Sequence, residues 1–156
     1  MTEIEAIDAE EQALSLRHFH ADDAWWLGCR LREAALVISA PVAIDIRRAG
    51  TRMFSYLLPG ATQDNLGWTE RKIALVMRFE RASYALSLKF AGSAGSFERF
   101  GLDRAIYAPA GGAVPIRLAG GTVVGAVAVS GLPEAQDHAM VIEALTALRD
   151  HQEAAG

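Results

Sequence analysis

A single cysteine, Cys29, is all that this chain of 156 residues contains, so no internal disulfide can form, and no CxxC or Cys/His spacing suited to a metal accompanies it. A reducing compartment is the simplest setting for such a chain. Basic surplus is missing too: Lys and Arg total 15 against 19 Asp and Glu, a net charge of -4, and the cations are scattered singly or in short pairs. Nucleic acid is thereby disfavoured as a partner, because phosphate binding needs a concentrated positive footprint. No apolar run approaches the roughly 20 residues that span a bilayer. The acidic start, MTEIEAIDAEEQ, is not the basic-then-apolar pattern of a secretory signal. The expectation is a cytoplasmic protein with no membrane partner. Two catalytic signatures are also absent. Gly111-Gly112 precede a strand and lack the following Lys-Ser/Thr of a P-loop, and no GxSxG nucleophile elbow occurs.

What is present suits one globular domain over residues 1–156, with 51% apolar and 22% charged residues. Residues 2–12 alternate acids with Ile4, Ala6 and Ile7, which predicts a short amphipathic helix with frayed ends. Residues 13–19 read as a short edge strand, unless Ala13 and Leu14 continue the helix. From His20 to Ser39 the pattern is helical and apolar on more than one face, opened by Asp22 and Asp23 and stopped by Pro41. Val42, Ile44 and Ile46 then alternate with Ala43, Asp45 and Arg47, a period-two strand that turns at Ala49-Gly50 and returns over 51–58.

Trp68, Lys72, Leu75, Phe79, Ala82, Leu86 and Phe90 form one stripe of a long helix over 61–90, capped by Thr62 or Asp64 and broken near Ser83. A second hairpin follows, with Val114, Ile116 and Leu118 on one face and Gly120-Gly121 at the turn. Its return strand, 122–130, is rich in small residues, so a bulky element can pack closely over it. Gly111 and Gly112 are read the same way, as sites of close backbone approach. Pro133 opens the last helix, with Glu134 and Asp137 near its positive end. Hairpins exclude an all-parallel sheet, so the class is α+β, an antiparallel sheet of four to five strands packed with helices.

GWTERK at Gly67–Lys72, the PVAIDIRR strand, and GGAVPIRL followed by VSGLPEAQDHAMVIEAL carry a resemblance. From about Asp22 to the last helix the chain resembles the haem-degrading domain family, also called GlcG/HbpS-like, and within it the small cytosolic branch. The resemblance implies a profilin-like or roadblock-like sandwich and a homo-oligomeric assembly. Haem as a cofactor is implied by the resemblance alone.

Two constellations could hold a ligand. Asp45, Arg47 and Arg117 occupy alternate strand positions opposite the Ile/Val core, where guanidinium groups could clamp a small anionic ligand, with Arg71 and Lys72 joining from the long helix. The competing reading is an ion-pair network. Asp137 and His138 are neighbours on a helix and point about 100 degrees apart, so they are not a catalytic pair with each other. Asp137 would then serve the helix start and His138 an interface, unless one faces a pocket. His18 and His20, two apart on a strand face, are candidate haem-iron ligands together with His138, against a plainer surface or interface role. Cys29 reads as an inert buried thiol, and Trp25, Trp26 and Trp68 as core or interface anchors. The functional expectation is a homo-oligomeric ligand-binding or scaffold domain that is not catalytic. The alternatives are a haem-binding or haem-degrading protein and an enzyme acting on a small anionic substrate.

Overall fold

In the computed structural model, which describes all 156 residues, the chain opens with α1 (Glu3–Gln12). A capping box starts it: the Thr2 hydroxyl accepts the Glu5 N–H at 3.1 Å and the Glu5 carboxylate accepts the Thr2 N–H at 3.0 Å. Next come the two-residue strand β1 (Ser15–Leu16) and α2 (Ala21–Val37). The first hairpin is β2 (Ala43–Arg48) with β3 (Thr51–Leu57). Then follow α3 (Gln63–Phe79), α4 (Ser83–Ala91) and the single-turn α5 (Ser96–Arg99). The second hairpin is β4 (Ala113–Leu118) with β5 (Val123–Ser130), and α6 (Glu134–Ala155) closes the chain.

All five strands form one sheet in the order β1-β4-β5-β2-β3. The hairpins pair side by side, β2 running antiparallel to β5, so the α+β reading and the strand count hold. One edge differs from an all-antiparallel sheet, since Ser15 and Leu16 pair in parallel with Arg117 and Leu118 and make the sheet mixed. Strand pairing stops at Leu16. His18 and His20 therefore lie in the connection to α2 and not on a strand face, and Leu14, Leu16 and Phe19 all turn inward.

Two layers of helix cover the sheet. Ile44, Ile46, Val114, Ile116, Val127 and Val129 face α2 and α6 and join Leu27, Leu31, Val141, Leu145 and Leu148 in the main core. The opposite face offers only Ala113, Ala126 and Ala128 to Ile73 and Val76 of α3. Short side chains there let α3 sit close to the backbone, as the small residues of the return strand predict. The predicted long helix breaks at Glu80, which adopts a left-handed φ of 55° and ends α3; α4 resumes at Ser83. Of the three tryptophans, Trp26 stacks on His151 with ring centroids 4.6 Å apart, while Trp25 is 64% exposed and meets only the edge of Phe54. Cys29 is half-buried, not the enclosed thiol expected from its apolar neighbours. No helix is long and apolar enough to cross a membrane.

Candidate functional site: the cleft at the start of α6

The first predicted constellation separates into two closed networks. Asp45 is fully buried and accepts Arg47 Nε at 3.1 Å, Arg47 Nη2 at 3.2 Å and the Thr69 hydroxyl at 3.1 Å. Arg52 reaches it at 3.4 Å while holding Glu70 at 2.7 Å. Arg117 lies elsewhere, beyond the β4 bulge at Ile116/Arg117, with its Nε 2.6 Å from Glu11 and a further donation to the Glu80 carbonyl. Alternation placed Arg117 on a face correctly but says nothing of distance along it. These guanidinium groups already have carboxylate and carbonyl partners within the chain, so the ion-pair alternative describes them.

Lys72 and Asp137, in contrast, come together across 65 positions of sequence. The stripe that predicted α3 places Lys72 inward among Leu75 and Val76, where it is only 3% exposed. Its Nζ donates to the Val129 carbonyl at 3.2 Å and to Asp137 Oδ2 at 3.3 Å. Asp137, 1% exposed, also accepts the N–H groups of Gly131 at 3.3 Å and Leu132 at 3.1 Å, so it ties the β5–α6 loop to the first turn of the helix. Burial pushes the Asp137 carboxyl up and the Lys72 ammonium down, and each charge works against that displacement in the other.

Gly112 presses on this pair from below at a φ of +132°. A Cβ there would stand 2.9 Å from Lys72 Nζ and 2.4 Å from the Val129 carbonyl oxygen, so only glycine fits. Above the pair opens a cleft of about 320 Å³, lined among others by Asn65, Trp68, Lys72, Ser130, Glu134 and Asp137. Glu134 uses one carboxylate oxygen on the Gly111 N–H at 2.9 Å. Asn65 spends its carbonyl on the Thr62 N–H at 2.9 Å, and its amide nitrogen makes no bond within the chain. Trp68, partly exposed, forms a wall, with the Arg71 guanidinium stacked 4.1 Å from its ring.

His138 points away from the cleft, as the helical angle requires. It is 5% exposed, neither ring nitrogen has a hydrogen-bond partner, its ring lies 5.2 Å from that of Tyr84, and Nε2 is 3.9 Å from Glu10. Burial holds its pKa down at about 4. His18 has a different geometry. Its Nδ1 is 2.8 Å from Asp23 Oδ2, and its ring stacks on His20 at 4.9 Å. Burial works to raise the Asp23 pKa, but hydrogen bonds from the His20 N–H, His18 and Gln152 outweigh it and the carboxyl is held below its usual value.

Several site residues escaped the sequence reading. Thr69, Arg52 and Glu70 complete the Asp45 network, Glu11 neutralises Arg117, and Asn65 and Ser130 border the cleft. The one available signal was periodicity, because Asn65, Trp68, Thr69 and Lys72 recur at helical spacing on one side of α3.

Comparison with known proteins places this geometry in context. A family profile described as haem degrading protein HbpS-like matches residues 19–146. A UPF0303 protein of Streptomyces avermitilis is 47% identical over 143 residues, covering 91% of this chain and 88% of its own. Among solved structures, the Ybr137w protein superposes with a TM-score of 0.89 at 30% identity, over 96% of this chain and 89% of that one. A PduOC:heme complex superposes with a TM-score of 0.71 over 83% and 94%, at 22% identity, which is a likeness of fold.

Proposed function

The chain belongs to the HbpS-like family of haem-degrading proteins, and from that premise we propose that it is a homo-oligomeric ligand-binding domain without catalytic turnover, its ligand seated in the cleft over Lys72 and Asp137. The observation that carries this reading is a buried ammonium–carboxylate pair at the floor of an open cleft. Taking two charges out of water costs several kcal/mol per ion and is only partly returned by their attraction, so stability alone is weak grounds for such a pair. An ammonium has three protons to donate. Val129 and Asp137 take two, which leaves one for an acceptor on a ligand. Asp137 and Glu134 oppose a dianion such as phosphate, so the favoured ligand is small and carries a single carboxylate or carbonyl.

Calorimetric titration with acetate tests this, with the dianion succinate as the control. Acetate binding to the native protein that disappears in Lys72→Met supports the cleft; no heat with acetate, or tighter binding of succinate, counts against it.

A second reading, haem binding, is favoured by one observation. His18 directs Nδ1 to a carboxylate, the arrangement by which ligating histidines fix their tautomer and offer Nε2, and its side chain is 47% exposed. A protein of the same fold has been crystallised with haem. The cleft itself has no imidazole, so an iron would be met at His18. Bound haem would supply the redox-active iron, and the chain's part would be to hold it. Adding haemin should shift the Soret band in the native protein and in His138→Ala but not in His18→Ala. An unshifted native spectrum would retire this reading.

A further inference from the structure

The chain has 15 basic residues, of which only Lys72 and Lys89 are lysines and the other 13 are arginines. Apart from the histidine contacts, every other cation–carboxylate pair described above uses arginine, which stays protonated at any accessible pH and cannot act as a nucleophile. Lys89 lies against the rings of Phe90 and Phe100 on α4. Lysine therefore occupies the one cleft-floor position where a primary amine and a carboxylate are buried within 3.3 Å of each other. For salt bridging alone, an arginine fork would serve Asp137 better.

We propose that Lys72 captures a small carbonyl compound, an aldehyde or α-keto acid, as a reversible imine in the cleft, with Asp137 moving the protons. This rests on the cleft reading above and names its ligand class. The step balances: a ketone or aldehyde plus Lys72 ammonium gives a protonated imine plus one water. Asp137 first takes a proton from the ammonium, and the freed amine attacks the carbonyl carbon, forming the C–N bond as the C=O π bond breaks. Asp137 returns that proton to the carbonyl oxygen. A second proton from the carbinolamine nitrogen, carried the same way, lets the oxygen leave as water.

Three features support this chemistry. The Gly112 backbone fixes Nζ from one side, the Val129 carbonyl holds it from another, and the cleft is the remaining approach. Burial pushes the Lys72 pKa below that of a free lysine, which raises the fraction of neutral amine. Asn65 has a free amide donor at the cleft wall for the carboxylate of an α-keto acid.

The test is reductive trapping. The native protein is incubated with pyruvate and cyanoborohydride, and the products are read by intact mass and peptide mapping. The expected result is one reduced pyruvate adduct on Lys72, formed at least about tenfold faster than at Lys89 or the N-terminal amine, and slowed by about tenfold or more in Asp137→Asn. Lys89→Arg should trap normally and Lys72→Arg should not. Equal labelling of all amines, or none on Lys72, overturns the proposal, and both are read on native protein whose folding is not in question. Acetate binding to the cleft without a Lys72 adduct would leave the binding domain standing and remove only the imine; loss of both would remove the cleft.

Discussion

Protonating His138 means introducing a charge into the layer between α1, α4 and α6, where neither ring nitrogen has a partner. In an unfolded chain the imidazole gains its proton near pH 6.5, whereas burial in the fold holds it down at about 4. Between these values the unfolded state carries the extra proton. Stability from this group is therefore complete above pH 6.5 and is lost as pH falls toward 4, at up to about 1.4 kcal/mol per pH unit. Urea midpoints taken from pH 7.5 down to 5 should hold until about pH 6.5 and then fall for the native protein, and fall less steeply for His138→Phe. An equally steep variant would mean that the acid sensitivity comes from elsewhere. For the buried pair, Asp137→Ala should cost about 3–5 kcal/mol, because it strands the Lys72 charge and frees two loop N–H groups, while Lys72→Met with Asp137→Leu should cost clearly less. Denaturant melts of the three proteins compare them directly. Each partner was readable by itself, Lys72 from its place in an apolar stripe and Asp137 from the start of a helix. Their meeting was not, because pattern rules act over a few residues and these are 65 apart.

Among the elements, α1 depends most on charge. Ile7 is its main buried apolar anchor, and it is held by Glu11 on Arg117 and by Asp8 on Arg81 at 3.0 Å. Glu11 is 1% exposed. Truncating it leaves the Arg117 guanidinium without its carboxylate, so Glu11→Ala should release α1 at a cost of about 3 kcal/mol or more. Amide exchange over residues 3–12 should speed up while β2 and β5 stay protected, and uniform acceleration would instead indicate global loss. Hairpins and the α6 start were legible because glycine, proline and alternation act locally, and the helix break because so long a helix is out of proportion to the domain. The parallel pairing of β1 was not legible. Two residues carry no period, and their partner strand comes 102 positions later, as the Ser15–Arg117 register gives.

For the molecule as a whole, the outer surface of α2 and its end stands out. Trp25, Val37 and Ile38 are 64%, 85% and 60% exposed. Val37 and Ile38, with Leu36 beside them, are adjacent at the end of α2 and more than scattered surface residues need explain, while Trp25 stands apart near the start of the helix, and a second copy is the partner that the proposed homo-oligomer requires. Light scattering after size exclusion should return a multiple of the 16.7 kDa chain, and Val37→Asp should lower that multiple with the fold intact by circular dichroism. A native monomer at micromolar concentration would contradict the assembly.

The sheet limits how such copies can be joined. One border is the two-residue β1, which follows directly on α1, while the other is the seven-residue β3, hydrogen-bonded on one side only. Two copies meeting through β3 would pair antiparallel about a twofold axis and merge into a ten-stranded continuous sheet, and growth in that direction would then stop because both long borders are used. A ring or stack of more than two chains must therefore recruit a surface outside the β3 border for at least one of its contacts, which makes its size a property of the helical layers and not of β3 pairing alone.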